Sequence, residues 1–360
     1  MKVIFIVNSI QNQRCIKRIS EFVSEGADVQ VYAYSRQSET YTNNTFPIEI
    51  IGRLDNSLSY SKRFPILYRS IKYVVNKYRK SRCLFYLFGL DIAMVFRLQC
   101  KREKYIYEES DLVHTYVNNS LLKCFLESVD KRIIKKSVKT VFTSEGFAIY
   151  HFGDKRPSNV IVIPNRLNSS ILNLDYSSPK TMNQDRIRIG FVGKPRFKSV
   201  VNFAKVLCEY SDRFEFHIFG GPILEEVDGF RALEKYSNYY YHGPFKNPDD
   251  LPKVYSSIDL VLSTYDIEYE NVRFAEPNKI YEAMYFETPI IVSNNTFLAQ
   301  KVERLGIGFS VDPLNDEEVK ALLRTLNTGT IQKKQVSCAS INKDSLIDSN
   351  HQFIQSLLLS

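Results

Sequence analysis

Three short segments in the second half of the chain combine glycines, basic side chains and carboxylates at spacings that suit an anionic ligand. In IRIGFVGKPRFKSV, residues 187–200, an apolar run ends at Gly193, and Lys194, Arg196 and Lys198 follow at the start of an expected helix. Unpaired N–H groups at a helix start, beside ammonium and guanidinium groups, attract a diphosphate. A solvated basic turn has the same composition, so this segment alone leaves both readings open. In HIFGGPILEE, residues 217–226, a second apolar run ends in Gly220-Gly221-Pro222. Glycines there permit close approach of a backbone to a ligand, although alone the motif fits a tight strand–helix turn better. In EPNKIYEAMYFETPIIVS, residues 276–293, Pro277 suits a first helical turn, with Asn278, Lys279 and Glu282 near its start. A carboxylate one turn into such a helix is placed to hold the two hydroxyls of a ribose, while in isolation Glu282 reads as a surface helix glutamate.

The elements that must position these groups follow from the apolar runs. Strands are expected at Lys2–Val7, Val29–Tyr34, Pro47–Ile51, Leu84–Phe88, Tyr105–Tyr107, Thr140–Thr143 and Val160–Ile163, with helical stretches between them, the first over 12–25. After Pro164-Asn165 comes a polar stretch, 166–185, expected to be a linker. A second alternating series follows: Ile187–Val192, Phe214–Phe219, Tyr239–His242, Leu260–Ser263, Pro289–Ser293 and Phe309–Val311. Short apolar strands alternating with helices mean parallel sheets covered on both faces. The fold class is therefore α/β, with two tandem Rossmann-like doubly wound domains: 1–165, then the linker 166–185, then 186–340. Residues 341–360 are expected as a C-terminal segment able to pack back on the first domain as a helix. Ligands of such sheets bind at the carboxyl ends of strands where strand order reverses, and two such domains facing each other make a cleft.

Composition narrows the class. The chain has 360 residues, 44% hydrophobic and 24% charged, which fits a soluble globular protein of two domains. The N-terminal run MKVIFIV breaks at Asn8-Ser9 without a cleavage site and reads as a buried strand rather than a signal peptide. The longest apolar stretch, Cys83 to Phe96, is interrupted by Gly89 and Asp91 and is too short to span a bilayer. The cysteines Cys15, Cys83, Cys100, Cys124, Cys208 and Cys338 are scattered, with no Cys/His cluster at metal-ligand spacing, so reduced thiols and no metal are expected. The net charge of +8 is unevenly spread: residues 61–80 carry seven basic residues and no acidic one. At 100° per residue Leu67, Ile71, Val74 and Tyr78 share one face, and Arg69, Lys72, Arg79 and Lys80 the opposite face with Tyr73. An ordinary surface helix has this pattern, and so does a patch for anionic lipid headgroups, which Lys131, Arg132, Lys135, Lys136 and Lys139 would extend. Zinc spacings, helix-turn-helix signals and RNP-type aromatics are missing, which argues against a nucleic-acid partner.

The order and spacing of the three glycine and carboxylate segments resemble the retaining glycosyltransferases of family 4, whose architecture is called GT-B. Gly193, Lys194, Arg196 and Lys198 resemble that family's strand followed by G-R or G-K and a lysine. Phe219-Gly220-Gly221-Pro222 resembles its next glycine-ended strand, and HGPFKNPDDLPKVYSSIDLVLS, 242–263, its following strand and loop. Glu282-Ala283-Met284 with Pro289-Ile290-Ile291-Val292 resembles its E-A-M helix and strand. In the first half, YIYEESDL (105–112), KTVFTSEGFAIYHF (139–152) and VIVIPN (160–165) are similar to family segments, so the likeness covers nearly the whole chain. There are departures. Family members commonly carry a glutamate eight residues before the ribose ligand; here that position is Phe274, and Glu276 is nearby. The family histidine of the 105–112 segment is replaced by Ser110, with His114 further on. The first glycine-rich loop is replaced by Asn8-Ser9-Ile10-Gln11-Asn12-Gln13-Arg14.

The resemblance implies transfer of a sugar from a UDP- or GDP-linked donor to a saccharide or lipid-linked saccharide acceptor. Retention at the anomeric carbon and no metal or other cofactor are implied with it. Lys194, Arg196 and Lys198 would hold the diphosphate with Gly193, Gly220, Gly221, Pro277, Asn278 and Lys279 around it, and Glu282 would anchor the ribose. Glu276, Glu109, Ser110 and His114 are the further catalytic candidates, the last three on the acceptor side. Surface polysaccharide synthesis, of capsule or O-antigen type, in the cytoplasm and peripheral on the inner face of the membrane, is the implied setting. A nucleotide-sugar epimerase and a non-catalytic scaffold of a polysaccharide assembly complex are the rival readings.

Overall fold

The protein is described by a computed structural model covering residues 1–9, 12–36, 46–55, 59–176, 186–221 and 229–359. Pro222 to Glu226 of the second glycine segment, Ile10 and Gln11, and 177–185 of the expected linker lie outside the described residues. The chain divides into two compact units, one made of Met1–Asn165 with Ser349–Ser360 and the other of Arg166–Asp348.

In the first unit the described strands are β1 (Lys2–Val7), β2 (Asp28–Ser35), β3 (Ile48–Arg53), β4 (Cys83–Phe88), β5 (Tyr105–Glu109), β6 (Lys139–Phe142) and β7 (Val160–Val162). They form one parallel sheet in the order β3-β2-β1-β4-β5-β6-β7. Its central strands are continuous apolar runs because helices cover both faces; Val3, Phe5 and Val7 of β1 are buried against Ile19 and Phe22. The first helix, Gln13–Ser24, begins where the Asn12 side chain accepts from the Arg14 N–H at 3.1 Å, and it buries Cys15, Arg18, Ile19 and Phe22 along one stripe. The buried Arg18 guanidinium is satisfied by Glu108 at 3.2 Å and Glu21 at 2.7 Å. Strand order reverses between β1 and β4, and β5, ending in Glu109, lies next to that point.

The basic segment forms the helix Tyr60–Tyr78, with Leu67, Ile71 and Val74 buried and Arg69, Lys72 and Tyr73 exposed, as the helical count expects. The helix stops one residue before Arg79, so Arg79 and Lys80 extend the basic surface from its C-terminal turn. Tyr78 is held by a hydroxyl contact to Tyr32 at 3.0 Å. Among the described residues no helix is long and apolar enough to cross a membrane.

The second unit carries β8 (Ile187–Val192), β9 (Phe214–Phe219), β10 (Tyr239–Gly243), β11 (Leu260–Ser263), β12 (Ile290–Ser293) and β13 (Gly308–Val311), again all parallel, in the order β10-β9-β8-β11-β12-β13. One apolar layer lies on each face, the first around Phe203, Phe216 and Leu262, the second around Tyr255, Ile280 and Phe286. Residues 166–176, placed in the linker by their polarity, are part of this unit. Leu167 pairs with Ile347, and Ile171, in the turn Ser169–Asn173, is buried in the second layer. Two buried apolar side chains are enough to tie down a stretch that reads as polar on average. At the other end the helix His351–Leu358 belongs to the first unit, where Ile354 and Leu357 join the core of β1 and β2.

Candidate functional site

The second sheet reverses its strand order between β8 and β11, and the three segments singled out from the sequence meet there. Gly193, at the end of β8, has φ of 144° and gives its N–H to the Phe219 carbonyl at 2.8 Å. Gly220 follows Phe219 with φ of 133°, and a Cβ on it would lie 1.9 Å from the Gly193 oxygen. Only glycine fits where these two turns touch. A Cβ on Gly193 would in turn lie 3.9 Å from the Lys279 side chain, which brings the third segment to the same place. Gly221 also has a positive φ, of 154°.

Lys194, Arg196 and Lys198 are exposed, and among the described residues none of the three is held in an ion pair. Arg196 lies over the Phe197 ring at 4.9 Å, and that ring packs edge-on against Tyr265 at 4.9 Å. Burial raises the ordinary ionisation range of the Tyr265 phenol, so it remains neutral. The helix Lys198–Cys208 begins here, but its first N–H groups are not open to a ligand. Asp266, in the loop after β11, accepts from the Lys198 N–H at 3.2 Å and from the Ser199 N–H at 2.8 Å. Phe197 at the cap position has no side-chain oxygen to offer, and Asp266 supplies one from another loop. The expectation that this helix start holds phosphate through its N–H groups is corrected accordingly: a buried carboxylate already occupies it, leaving the basic side chains as the anion-attracting groups.

Glu282 is not a surface residue; it is 1% exposed. Its Oε1 accepts from Lys279 Nζ at 3.0 Å and Asn278 Nδ2 at 3.2 Å, and its Oε2 from Lys279 Nζ at 2.8 Å and Tyr255 OH at 2.6 Å. All four acceptor positions of the carboxylate are thus filled by its own unit. Pro277 and Asn278 stand just before the helix Lys279–Tyr285. Glu276 is buried as well and bound by Lys301 at 2.7 Å and by the Tyr281 hydroxyl. That phenol is pushed far up by burial, with Glu276 adding to the effect. Tyr255, Asp266 and Lys301 complete this arrangement and were not singled out from the sequence, because each is joined to its partner only through the fold. Asp266 had one local signal: it follows the apolar β11 within STYD, a polar break at a strand's carboxyl end.

In the first unit, Glu109 and His114 were expected on the acceptor side, and the structure corrects their setting. Both are buried, at 1% and 0% exposure, and of the three expected residues Ser110 alone is partly exposed. Glu109 lies 3.1 Å from His151 Nε2, while His114 Nδ1 lies 3.5 Å from Asp130. Burial, then the nearby Asp130 charge, pushes the Glu109 carboxyl well above the usual range, and burial lowers His151 to about 4.

Comparison with known structures places these two units. The chain has the GT-B fold. It superimposes on sucrose-phosphate synthase from Thermosynechococcus elongatus with a TM-score of 0.71 at 14% identity, over 100% of this chain and 98% of that one. HepE of Anabaena, solved in complex with UDP, matches with a TM-score of 0.67 at 15% identity over 100% of both chains. WaaG, a glycosyltransferase involved in lipopolysaccharide biosynthesis, matches at 0.64 and 13% identity over 96% and 97%. Residues 186–328 match the family model described as glycosyl transferases group 1, a span that contains the whole of the site at β8 and β11. No curated protein sequence matches the chain.

Proposed function

We propose that this protein is a glycosyltransferase that moves a sugar from a UDP- or GDP-linked donor to a saccharide or lipid-linked saccharide acceptor, with retention at the anomeric carbon and without a metal in the transfer step. The observation that carries the reading is the meeting of Gly193, Gly220 and Lys279 at one strand-order reversal, beside three exposed basic side chains that form no ion pair among the described residues. The group 1 match over 186–328 supports it. Lys194, Arg196 and Lys198 stabilise the charge that develops on the departing diphosphate, which is electrostatic catalysis. The glycines let the phosphates approach the backbone. Ribose binding at Glu282 needs one of its four filled acceptor positions. Lys279, the partly exposed partner, is the donor able to turn toward a phosphate and release it. The acceptor hydroxyl attacks the face the leaving group vacates, and the diphosphate takes its proton. Ser110 is the acceptor-side candidate that solvent reaches.

The setting we propose is the inner face of a cell membrane, with the protein held peripherally through Arg69, Lys72, Tyr73, Arg79 and Lys80, in surface polysaccharide synthesis. The exposed Leu121, Leu122 and Phe125 at the start of the helix Ser120–Lys136, in the same unit, add apolar surface of the kind that enters a headgroup layer. Calorimetric titration with UDP, GDP and ADP, with and without magnesium, tests the donor site. One nucleotide should bind at micromolar concentration, independently of magnesium, and binding should be lost in Lys198→Ala and Lys194→Ala, whose side chains are exposed. Failure of all three nucleotides to bind would overturn the transferase reading in favour of a non-catalytic scaffold.

A further inference from the structure

Glu109, His114, Asp130 and His151 come from four separate elements of the first unit: the end of β5, the turn Val113–Tyr116, and the helices Ser120–Lys136 and Glu145–Phe152. Each is buried. One ligand atom each from Glu109, His114 and Asp130 lie within 4.8 Å of one another. His151 Nε2 lies 3.1 Å from a Glu109 oxygen and 3.9 Å from an Asp130 oxygen, and His114 Nδ1 lies 3.5 Å from that Asp130 oxygen. In a tetrahedral zinc site with bonds of about 2.0–2.1 Å the ligand atoms stand about 3.3–3.4 Å apart. The observed spacings bracket that figure.

Hydrogen bonds of good geometry leave part of the cluster unsatisfied. Neither Asp130 oxygen nor His114 Nδ1 has a hydrogen-bond partner of good geometry, although both residues are fully buried; Tyr107 and Glu109 are side chains near enough to act on that carboxylate. A buried carboxylate without a well-aligned donor is expensive, because it has given up its hydrogen bonds to water. His114 Nε2 makes its contact with the Tyr150 hydroxyl at 3.3 Å. With its proton on that nitrogen, the Nδ1 lone pair points at the Asp130 carboxylate. In that tautomer two acceptors face each other at 3.5 Å, an arrangement that a bound cation relieves and that a proton on Nδ1 would relieve instead. An outer hydrogen bond that fixes the tautomer of a histidine is the usual support of a metal ligand.

We propose that Glu109, His114 and Asp130 bind a divalent transition metal ion, zinc by the chemistry of the donor set, with His151 as fourth ligand or as the donor that orients Glu109. Imidazole and carboxylate together suit zinc and its first-row neighbours, not calcium or magnesium, which take all-oxygen sites. The ion joins four elements of the first unit and is structural; it is separate from the diphosphate chemistry of the second unit.

The test uses the full chain, stripped with a chelator and then titrated with zinc and with cobalt(II). Metal analysis of the protein before stripping should find close to one equivalent. Zinc should raise Tm by several degrees, and cobalt(II) should give the visible absorption of a tetrahedral site. Asp130→Asn and His114→Gln, both close in shape to the native side chains, should lose the absorption and the zinc-dependent shift. Should either variant fail to fold, the wild-type metal content, shift and spectrum still decide the matter. No metal content, no shift and no cobalt spectrum in the wild type would overturn the proposal. So would a zinc shift that survives in both variants, because the ion would then be bound elsewhere.

Discussion

Replacing Asp266 by Asn separates the two roles that meet at the start of the helix Lys198–Cys208. Asp266 accepts from two consecutive helix N–H groups at 3.2 and 2.8 Å and is 6% exposed. The amide of Asn keeps one carbonyl oxygen for one N–H and turns an NH2 group toward the other. Losing a side-chain cap costs about 0.5–2 kcal/mol. Losing the carboxylate's favourable interaction with the helix dipole costs about 0.3–1 kcal/mol more, because the site is sheltered from solvent. The two together put the loss at about 2 kcal/mol, which for a unit of this size lowers Tm by about 4–8 °C. Urea unfolding should show the midpoint fall with an unchanged slope. Nucleotide affinity, measured well below the new Tm, should be kept or improved, since the variant removes a negative charge beside the bound phosphates. Lys198→Ala should do the reverse, losing affinity while Tm stays within a degree or so of the wild type. An Asp266→Asn protein as stable as the wild type would refute the capping assignment, and one that is stable but cannot bind nucleotide would mean that the carboxylate itself contacts the ligand.

Gly220→Ala should cost about 2–6 kcal/mol, from a Cβ forced 1.9 Å from the Gly193 oxygen and a φ of 133° that side chains avoid; Gly243→Ala, with φ of 77° and open space around it, should cost only about 1 kcal/mol, and equal urea midpoints for the two would exclude the close contact. Changing Arg69, Lys72, Arg79 and Lys80 together to Gln should weaken sedimentation with anionic vesicles about a thousandfold at low salt, at about 1 kcal/mol per charge; unchanged or salt-independent binding would dismiss the membrane patch. Burial lowers the His217 pKa below the ordinary 6.5 despite Glu215 nearby, so the folded chain takes up its proton later than the unfolded one as pH falls. The stability this contributes is present above about 6.5 and is lost as pH falls through the folded value. Tm should therefore drop less between pH 7 and 5 in His217→Gln than in the wild type, and parallel profiles would discard the assignment.

The strands were legible in the sequence because a parallel strand covered on both faces is an apolar run: Val3 to Val7, Ile189 to Val192 and Ile290 to Val292 each read as strands without help from any neighbour. The glycine turns were legible for a similar local reason. The charge balance of the site was not. Glu282 looks like any helix glutamate until Tyr255, 27 positions away, is seen to donate to it. Asp266 acquires its role only when β11 lies beside β8. The buried cluster of the first unit spans 42 positions from Glu109 to His151, with no spacing that a linear search would recognise. One trace was present all the same: Asp130 stands three and four positions before Ile133 and Ile134, an acid on the apolar side of its helix.

The first unit is built from both ends of the chain, with the whole of the second unit threaded between Asn165 and Ser349. On the ribosome this imposes an order. The sheet from β1 to β7 is made first, yet Ile354 and Leu357, which join its core, are made only after the second unit. Until then the surface over Phe22 and Val29 stands open, and the second unit, contiguous in the chain, is the one that can finish first. Chains that lack the helix His351–Leu358 would carry a finished second unit attached to an unfinished partner with a sticky apolar seam. Quality control that recognises that seam would read out, in one place, whether the chain beyond the second unit has returned to the first.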